Sequence, residues 1–109
     1  MHALLLSTDG QVWQHGLDPE QPIKPQILSL LHRRQGLITE ALDDGSHLYY
    51  GGHMPTLANN SAATEIAANH TRNHNSIHGR AVLLTTAPDI WIERAIVAHA
   101  SRHLSPAQI

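Results

Sequence analysis

The sequence predicts an α+β domain with a small, mostly antiparallel sheet of about five strands and three helices, in the order ββα–ββ–α–β–α. Two Asp-Gly turns, at Asp9-Gly10 and at Asp44-Gly45, each separate two short apolar runs, a pattern typical of β-hairpins. Three other segments space their apolar residues as helices do. A chain of 109 residues is long enough for one hydrophobic core, so residues 1–109 are predicted to form a single domain.

The first half of the chain is predicted to form two hairpins joined by a helix. A loop with three prolines leads into this helix, and Pro25 suits its first turn, where the missing N–H would have had no partner. Arg33 and Arg34 suit the last turn, where cations are favoured by the helix dipole, and Gly36 is expected to cap it. We expect strands at about 2–7, 11–15, 37–42 and 47–50.

The second half is predicted to form a helix, a central strand and a final helix. Asn59, Asn60 and Ser61 offer oxygens that can cap the first of these helices. The strand has apolar residues at both odd and even positions, which indicates that both of its faces are covered. Pro88 and Asp89 suit the start of the final helix. We expect the helix at about 61–71, the strand at 77–86, the final helix at 88–104 and a frayed tail at 105–109.

A series of short motifs extends over residues 1 to about 86. It comprises Thr8-Asp9-Gly10, Gly36-Leu37-Ile38-Thr39-Glu40, Asp43-Asp44-Gly45, Leu48-Tyr49, Asn60 with Ala63-Thr64, and the run from Ile77 to Leu84. Their order resembles a small family of domains of unknown function from actinobacterial genomes, phages and plasmids. The resemblance implies the fold and a phage or mobile-element setting, but no chemistry, because the family has no established activity.

The chain departs from that family in two places. Tyr50-Gly51-Gly52-His53 stands where family members tend to have an acidic, Asn-Glu-rich turn, so no ligand role is carried over to this turn. The final helix lies beyond the resemblance, and we interpret it as an addition used for packing or self-association.

Composition excludes several functional classes. There is no cysteine, which excludes disulfides, thiolate metal sites and a cysteine nucleophile. Seven Lys and Arg against nine Asp and Glu give none of the basic excess that is typical of nucleic-acid-binding domains. The opening segment lacks a basic region, and no segment has the length of a membrane span. The sequence therefore predicts a soluble, cytoplasmic protein.

Ten histidines are the unusual feature of the composition, and they suggest a pH-sensitive surface or a metal site. His70 and His74 have the i, i+4 spacing at which one helix face can hold zinc or another divalent metal. His78 continues this spacing, but three such residues cannot converge on one ion, because eight residues of helix rise about 12 Å. The preferred interpretation is a solvated helix end without a cofactor, and a metal pair is the alternative.

A second alternative is weak nucleic-acid binding. It would use four basic residues around the turn that follows the central helix, although the acidic excess elsewhere opposes it. These residues are Arg72, His74, His78 and Arg80.

No catalytic constellation is found: there is no nucleophile elbow, phosphate loop or dinucleotide fingerprint. The sequence therefore predicts a non-enzymatic interaction or regulatory protein that binds a protein partner, either a second copy of itself in a homodimer or a host protein. The final helix is apolar around much of its circumference, which favours it as the partner surface. The predicted partner-binding residues are Trp91, Ile92, Ala95, Ile96 and His99.

Overall fold

The computed structural model describes residues 1–32, 36–52 and 57–103, which form five strands and three helices in the predicted order. All strands belong to one antiparallel sheet in the order β2-β1-β5-β4-β3, which confirms the predicted fold class. The elements are β1 His2–Leu6, β2 Val12–Gly16, α1 Ile23–Leu30, β3 Leu37–Ala41, β4 His47–Gly51, α2 Ser61–His70, β5 Ala81–Thr85 and α3 Pro88–His103.

Strand β5 is the centre of the sheet, and all five of its residues are buried. Val82 and Leu84 pack with Ile27 of α1 on one face of the sheet. Leu83 points to the other face, where α2 and α3 cover it. The double apolar pattern in the sequence therefore marks a strand that is covered on both sides.

Two predicted boundaries are wrong. Helix α1 ends at Leu30, and His32 adopts the left-handed φ of 56° while its N–H donates to Ser29 O at 3.1 Å. His32 therefore takes the left-handed position next to the helix end, and Gly36, whose φ is 81°, lies further along the chain. The central strand begins at Ala81 instead of residue 77, because Gly79 has a φ of 80° that interrupts extended backbone. Arg33, Arg34, Leu104 and the predicted tail at 105–109 lie outside the described residues.

Asn60 joins α2 to the sheet. Its side chain is fully buried, and its oxygen accepts a hydrogen bond from the Ala63 N–H at 3.1 Å, as an N-cap does. Its amide nitrogen donates to Leu6 O and to Gly79 O, both at 2.9 Å. One side chain thus fixes the start of α2 against β1 and against the approach to β5.

Helix α3 is part of the main core. Trp91, Ala95 and Ala98 belong to the buried cluster that also contains residues of α2 and β5. The helix that the sequence suggested as an addition therefore completes the cover of one sheet face. Of the helices in the described ranges, none is long and apolar enough to cross a bilayer.

Candidate interaction site

A groove of about 460 Å³ runs between α2 and α3 on the outside of the domain. Its walls combine apolar and charged side chains from both helices. Ile66 and Ala98 are almost fully buried, so the floor of the groove is apolar. The lining residues are Glu65, Ile66, Asn69, His70, Ile90, Glu93, Arg94, Val97, Ala98 and Ser101.

Trp91 sets the rotation of α3 about its own axis. Its side chain is 0% exposed, and its indole N–H donates to Asp44 Oδ2 in the β3–β4 turn at 2.8 Å. The guanidinium carbon of Arg94 lies 4.6 Å from the centroid of the Trp91 ring, a cation–π geometry. Because the indole is held on two sides, the residues that α3 turns outward are fixed as well.

Side-chain contacts of His70 and Glu65 join α2 to the β3–β4 turn and to α3. His70 Nδ1 lies 3.1 Å from Asp43 Oδ2, and the imidazole meets the Trp91 ring edge-on with centroids 5.0 Å apart. Arg102 Nε donates to Glu65 Oε2 at 2.7 Å across the two helices. Glu65 thus forms an ion pair with α3.

The side of α3 that borders the groove carries two large exposed apolar side chains. Ile90 is 52% exposed and Val97 is 61% exposed, seven residues apart and therefore on the same side. Glu93 and Arg94, both exposed, lie between them on that side. We call Ile90, Glu93, Arg94 and Val97 the α3 stripe.

The structure divides the predicted partner-binding residues among three environments. Trp91 and Ala95 are fully buried and so are not accessible to a partner in this fold, whereas Ile92 and His99 are half-buried. Ile96 is 54% exposed but does not line the groove.

Sequence reasoning missed Ile90 and Val97 because the helix is apolar around much of its circumference, and the residues chosen from it lie on other sides. Their spacing of seven residues was the signal that could have found them.

The predicted metal pair is separated by the end of a helix. Helix α2 ends at His70, and Thr71 is extended, so the helical i, i+4 geometry does not reach His74. His70 contacts Asp43 instead. Within residues 1–32, 36–52 and 57–103, no three His, Asp or Glu side chains form a group that could hold a metal ion. Zinc binding by His70 and His74 stays a prediction.

The predicted nucleic-acid residues lie in and beside the segment between α2 and β5. Arg72 and His74 are exposed. His78 is half-buried, with its Nδ1 donating to Leu57 O at 2.9 Å, and Arg80 contacts His32. Nucleic-acid binding by this patch stays a prediction.

A further polar cluster, which the sequence did not indicate, joins β3 and β4 to the segment after α2. The hydroxyl of Tyr50 donates to Glu40 Oε1 at 2.8 Å and accepts from Asn73 Nδ2 at 2.7 Å. Burial, together with the neighbouring Glu40 carboxylate, raises the pKa of Tyr50 to about 12. Tyr50 is therefore a neutral hydrogen-bond donor near pH 7, which suits it to holding the segment after α2 in place.

Comparison of the chain with models of known protein families, with curated proteins and with solved structures finds no match.

Proposed function

We propose that the protein is a non-enzymatic interaction module that binds a protein partner through the α3 stripe, and that this partner is a second copy of the chain. The observation that carries the proposal is the order of residues in the stripe, in which two exposed apolar residues flank a pair of opposite charges. Apolar side chains at i and i+7 beside a groove are typical of surfaces that receive another helix.

The stripe is complementary to itself when two copies of α3 lie antiparallel. With a twofold axis between Glu93 and Arg94, Ile90 of one copy faces Val97 of the other, and Glu93 faces Arg94. Each contact then occurs twice, as in isologous dimers. A parallel pair in register would place Glu93 beside Glu93 and Arg94 beside Arg94, and like charges at these positions repel.

The neighbouring groove supports the same arrangement. Its apolar floor, formed by Ile66 and Ala98, extends the apolar surface that the second helix can cover. The stacking of Arg94 on Trp91 limits the rotamers of one charged partner before association, which lowers the entropy lost on pairing. Because one helix face is a small interface, we expect a dissociation constant of roughly 1–100 μM.

Sedimentation velocity on charge variants tests this proposal. Glu93→Arg gives a stripe with two positive charges, and Arg94→Glu gives one with two negative charges. We expect each variant alone to be monomeric at concentrations where the unaltered chain is dimeric, because each homodimer would bring like charges together. An equimolar mixture of the two should again form dimers.

Two further variants test whether self-association depends on the α3 stripe itself or on the polarity of the α3 surface in general. Val97→Glu should weaken self-association at least about tenfold, because a carboxylate would face Ile90 of the second copy. Ile96→Glu, an equally exposed change on the same helix but outside the groove, should leave the dimer intact. A monomeric unaltered chain up to about 1 mM, or a mixture of charge variants that stays monomeric, would contradict the proposal.

A further inference from the structure

A separate depression of about 430 Å³ lies between the end of α1 and the approach to β5. Three basic side chains and one hydroxyl face it: His32, His78, Arg80 and Thr8. No carboxylate is among the described residues that line it. Leu31, Leu57 and Ala58 supply apolar walls. This combination of a few convergent polar groups and apolar walls is typical of small-molecule sites.

His32 is held towards Arg80 by an unusual backbone conformation. Its φ of 56° is a conformation that glycine or asparagine usually takes at a helix end. Arg80 Nη1 donates to His32 Nε2 at 3.1 Å and lies 3.4 Å from Leu30 O. Because arginine is only a donor, Nε2 must be the acceptor, so the proton of the neutral imidazole is on Nδ1.

Arg80 keeps further donors beyond these contacts. The two bonds use Nη1, and no described residue accepts a hydrogen bond from Nε or Nη2. The ion pairs found within the described ranges join His70 to Asp43 and Arg102 to Glu65, so Arg80 forms none with a described carboxylate. The edge formed by Nε and Nη2 is therefore left for a ligand, and an arginine edge of this kind is suited to an oxyanion.

The opposite wall is fixed by the backbone around Gly79. His78 Nδ1 donates to Leu57 O at 2.9 Å. The Gly79 N–H donates to Ala58 O at 2.8 Å, and the Asn59–His78 bridge continues this pairing. The wall that carries Leu57 and His78 is thus joined to the segment that carries Arg80.

We infer that this depression binds a small molecule with a phosphate group, the phosphate at Arg80, His32 and Thr8 and an apolar body against Leu31 and Leu57. A phosphate is favoured over a carboxylate because several donors converge from different elements, whereas one arginine edge satisfies a carboxylate. The inference does not depend on the pairing of α3, which involves a different side of the domain.

NMR titration of the full chain with phenyl phosphate tests the inference. We expect saturable shifts of the backbone amides of His32 and Gly79, with binding at least about tenfold weaker in Arg80→Met. Arg72→Met is the matched control, because Arg72 is exposed but does not line the depression. Amide spectra without ligand establish that both variants are folded.

Three results would overturn the inference. The first is the absence of saturable shifts at about 10 mM phenyl phosphate. The second is equally tight binding of phenylacetate, which would contradict the phosphate assignment. The third is tight binding of a short single-stranded oligonucleotide that both Arg72→Met and Arg80→Met weaken, which would favour the nucleic-acid patch instead.

Discussion

At the scale of single residues, Asn60 makes three buried hydrogen bonds through one side chain. Replacing it with alanine removes the N-cap of α2 and leaves the carbonyls of Leu6 and Gly79 without their donor. We expect Asn60→Ala to lower the free energy of unfolding by roughly 3 kcal/mol, from a lost cap and two buried acceptors. Urea denaturation measures this. Asn69→Ala, at an exposed position with one long contact, should change it by less than about 0.5 kcal/mol.

Asn60→Asp separates the two roles of this side chain. The aspartate oxygen can still cap α2, but it cannot donate to Leu6 O or Gly79 O. We expect a loss nearly as large as that of the alanine variant. A variant as stable as the unaltered chain would show that capping alone explains the role of Asn60.

Asp44 links the β3–β4 turn to Trp91 and makes stability depend on pH. Partial desolvation tends to raise its pKa, but hydrogen bonds from the Ser46 amide and the Trp91 indole outweigh this and lower the pKa below 3.8. A lowered pKa contributes stability above about pH 4 that is lost as the pH falls through the folded-state value. In urea denaturation at a series of acid pH values, Asp44→Asn should therefore reduce the loss of unfolding free energy as the pH falls. Asp18→Asn is the matched control, and an equal loss in the Asp44→Asn variant and the unaltered chain would refute this role.

Tyr50 makes the free energy of unfolding depend on pH at the alkaline end. Its pKa is raised from 10.0 to about 12, so its contribution is complete below about pH 10 and is lost as the pH rises towards 12. We expect the free energy of unfolding to fall by on the order of 2 kcal/mol across that interval. Tyr50→Phe should remove most of this fall, as measured by urea denaturation at several alkaline pH values, and Tyr49→Phe should retain it. Equal slopes in the two variants would place the effect elsewhere.

At the scale of elements, the two hairpins have similar turns in different surroundings. Gly10 and Gly45 have φ values of 89° and 86°. A Cβ at Gly10 would lie 2.7 Å from Cγ of His99 on α3, whereas nothing lies within 4 Å of one at Gly45. Thermal denaturation should show Gly45→Ala costing roughly 1 kcal/mol for the backbone conformation alone. Gly10→Ala should cost roughly 2–4 kcal/mol, because the His99 ring must also move.

Equal costs at the two glycines would show that His99 of α3 does not pack against the turn at Gly10. A larger cost at Gly45 would contradict the open surroundings of the second turn.

The elements themselves were predictable where a local rule determines them. Asp-Gly turns marked the hairpins, the oxygens at 59–61 marked the start of α2, and apolar residues at both odd and even positions marked β5. The end of α1 was not predictable, because a histidine takes the left-handed position that favours glycine, and its contact with Arg80 joins residues far apart in sequence.

The predicted partner-binding residues and the proposed α3 stripe lie on the same helix but on different sides of it. Helical spacing alone showed a helix that is apolar around much of its circumference and did not say which side faces the sheet. The choice depends on tertiary packing, since Trp91 finds an acceptor in Asp44, 47 residues earlier. The exposed pair Ile90 and Val97 becomes visible only once that rotation is fixed.

At the scale of the whole molecule, the sheet has a protected centre, and no strand of the described residues pairs with the outer side of either edge strand. Strand β5 is paired on both sides and buried throughout, whereas β2 and β3 form the edges and are largely exposed. Hydrogen exchange should therefore be slowest in β5, at a rate near that of global unfolding, and faster by orders of magnitude at the outward amides of β2 and β3. Uniform protection across the five strands would mean that a further strand or partner covers the edges.

The arrangement of two chains is tested most directly by cross-linking. The protein has no cysteine, so a single introduced thiol reports one position. A mixture of Ile90→Cys and Val97→Cys chains, treated with a short bis-maleimide, should give a covalent species of about twice the 12.0 kDa chain mass. Each variant alone, and a mixture of Ile23→Cys with Val97→Cys, should give little of it. Efficient cross-linking of Ile90→Cys with itself, or none in the mixture, would contradict antiparallel pairing of α3.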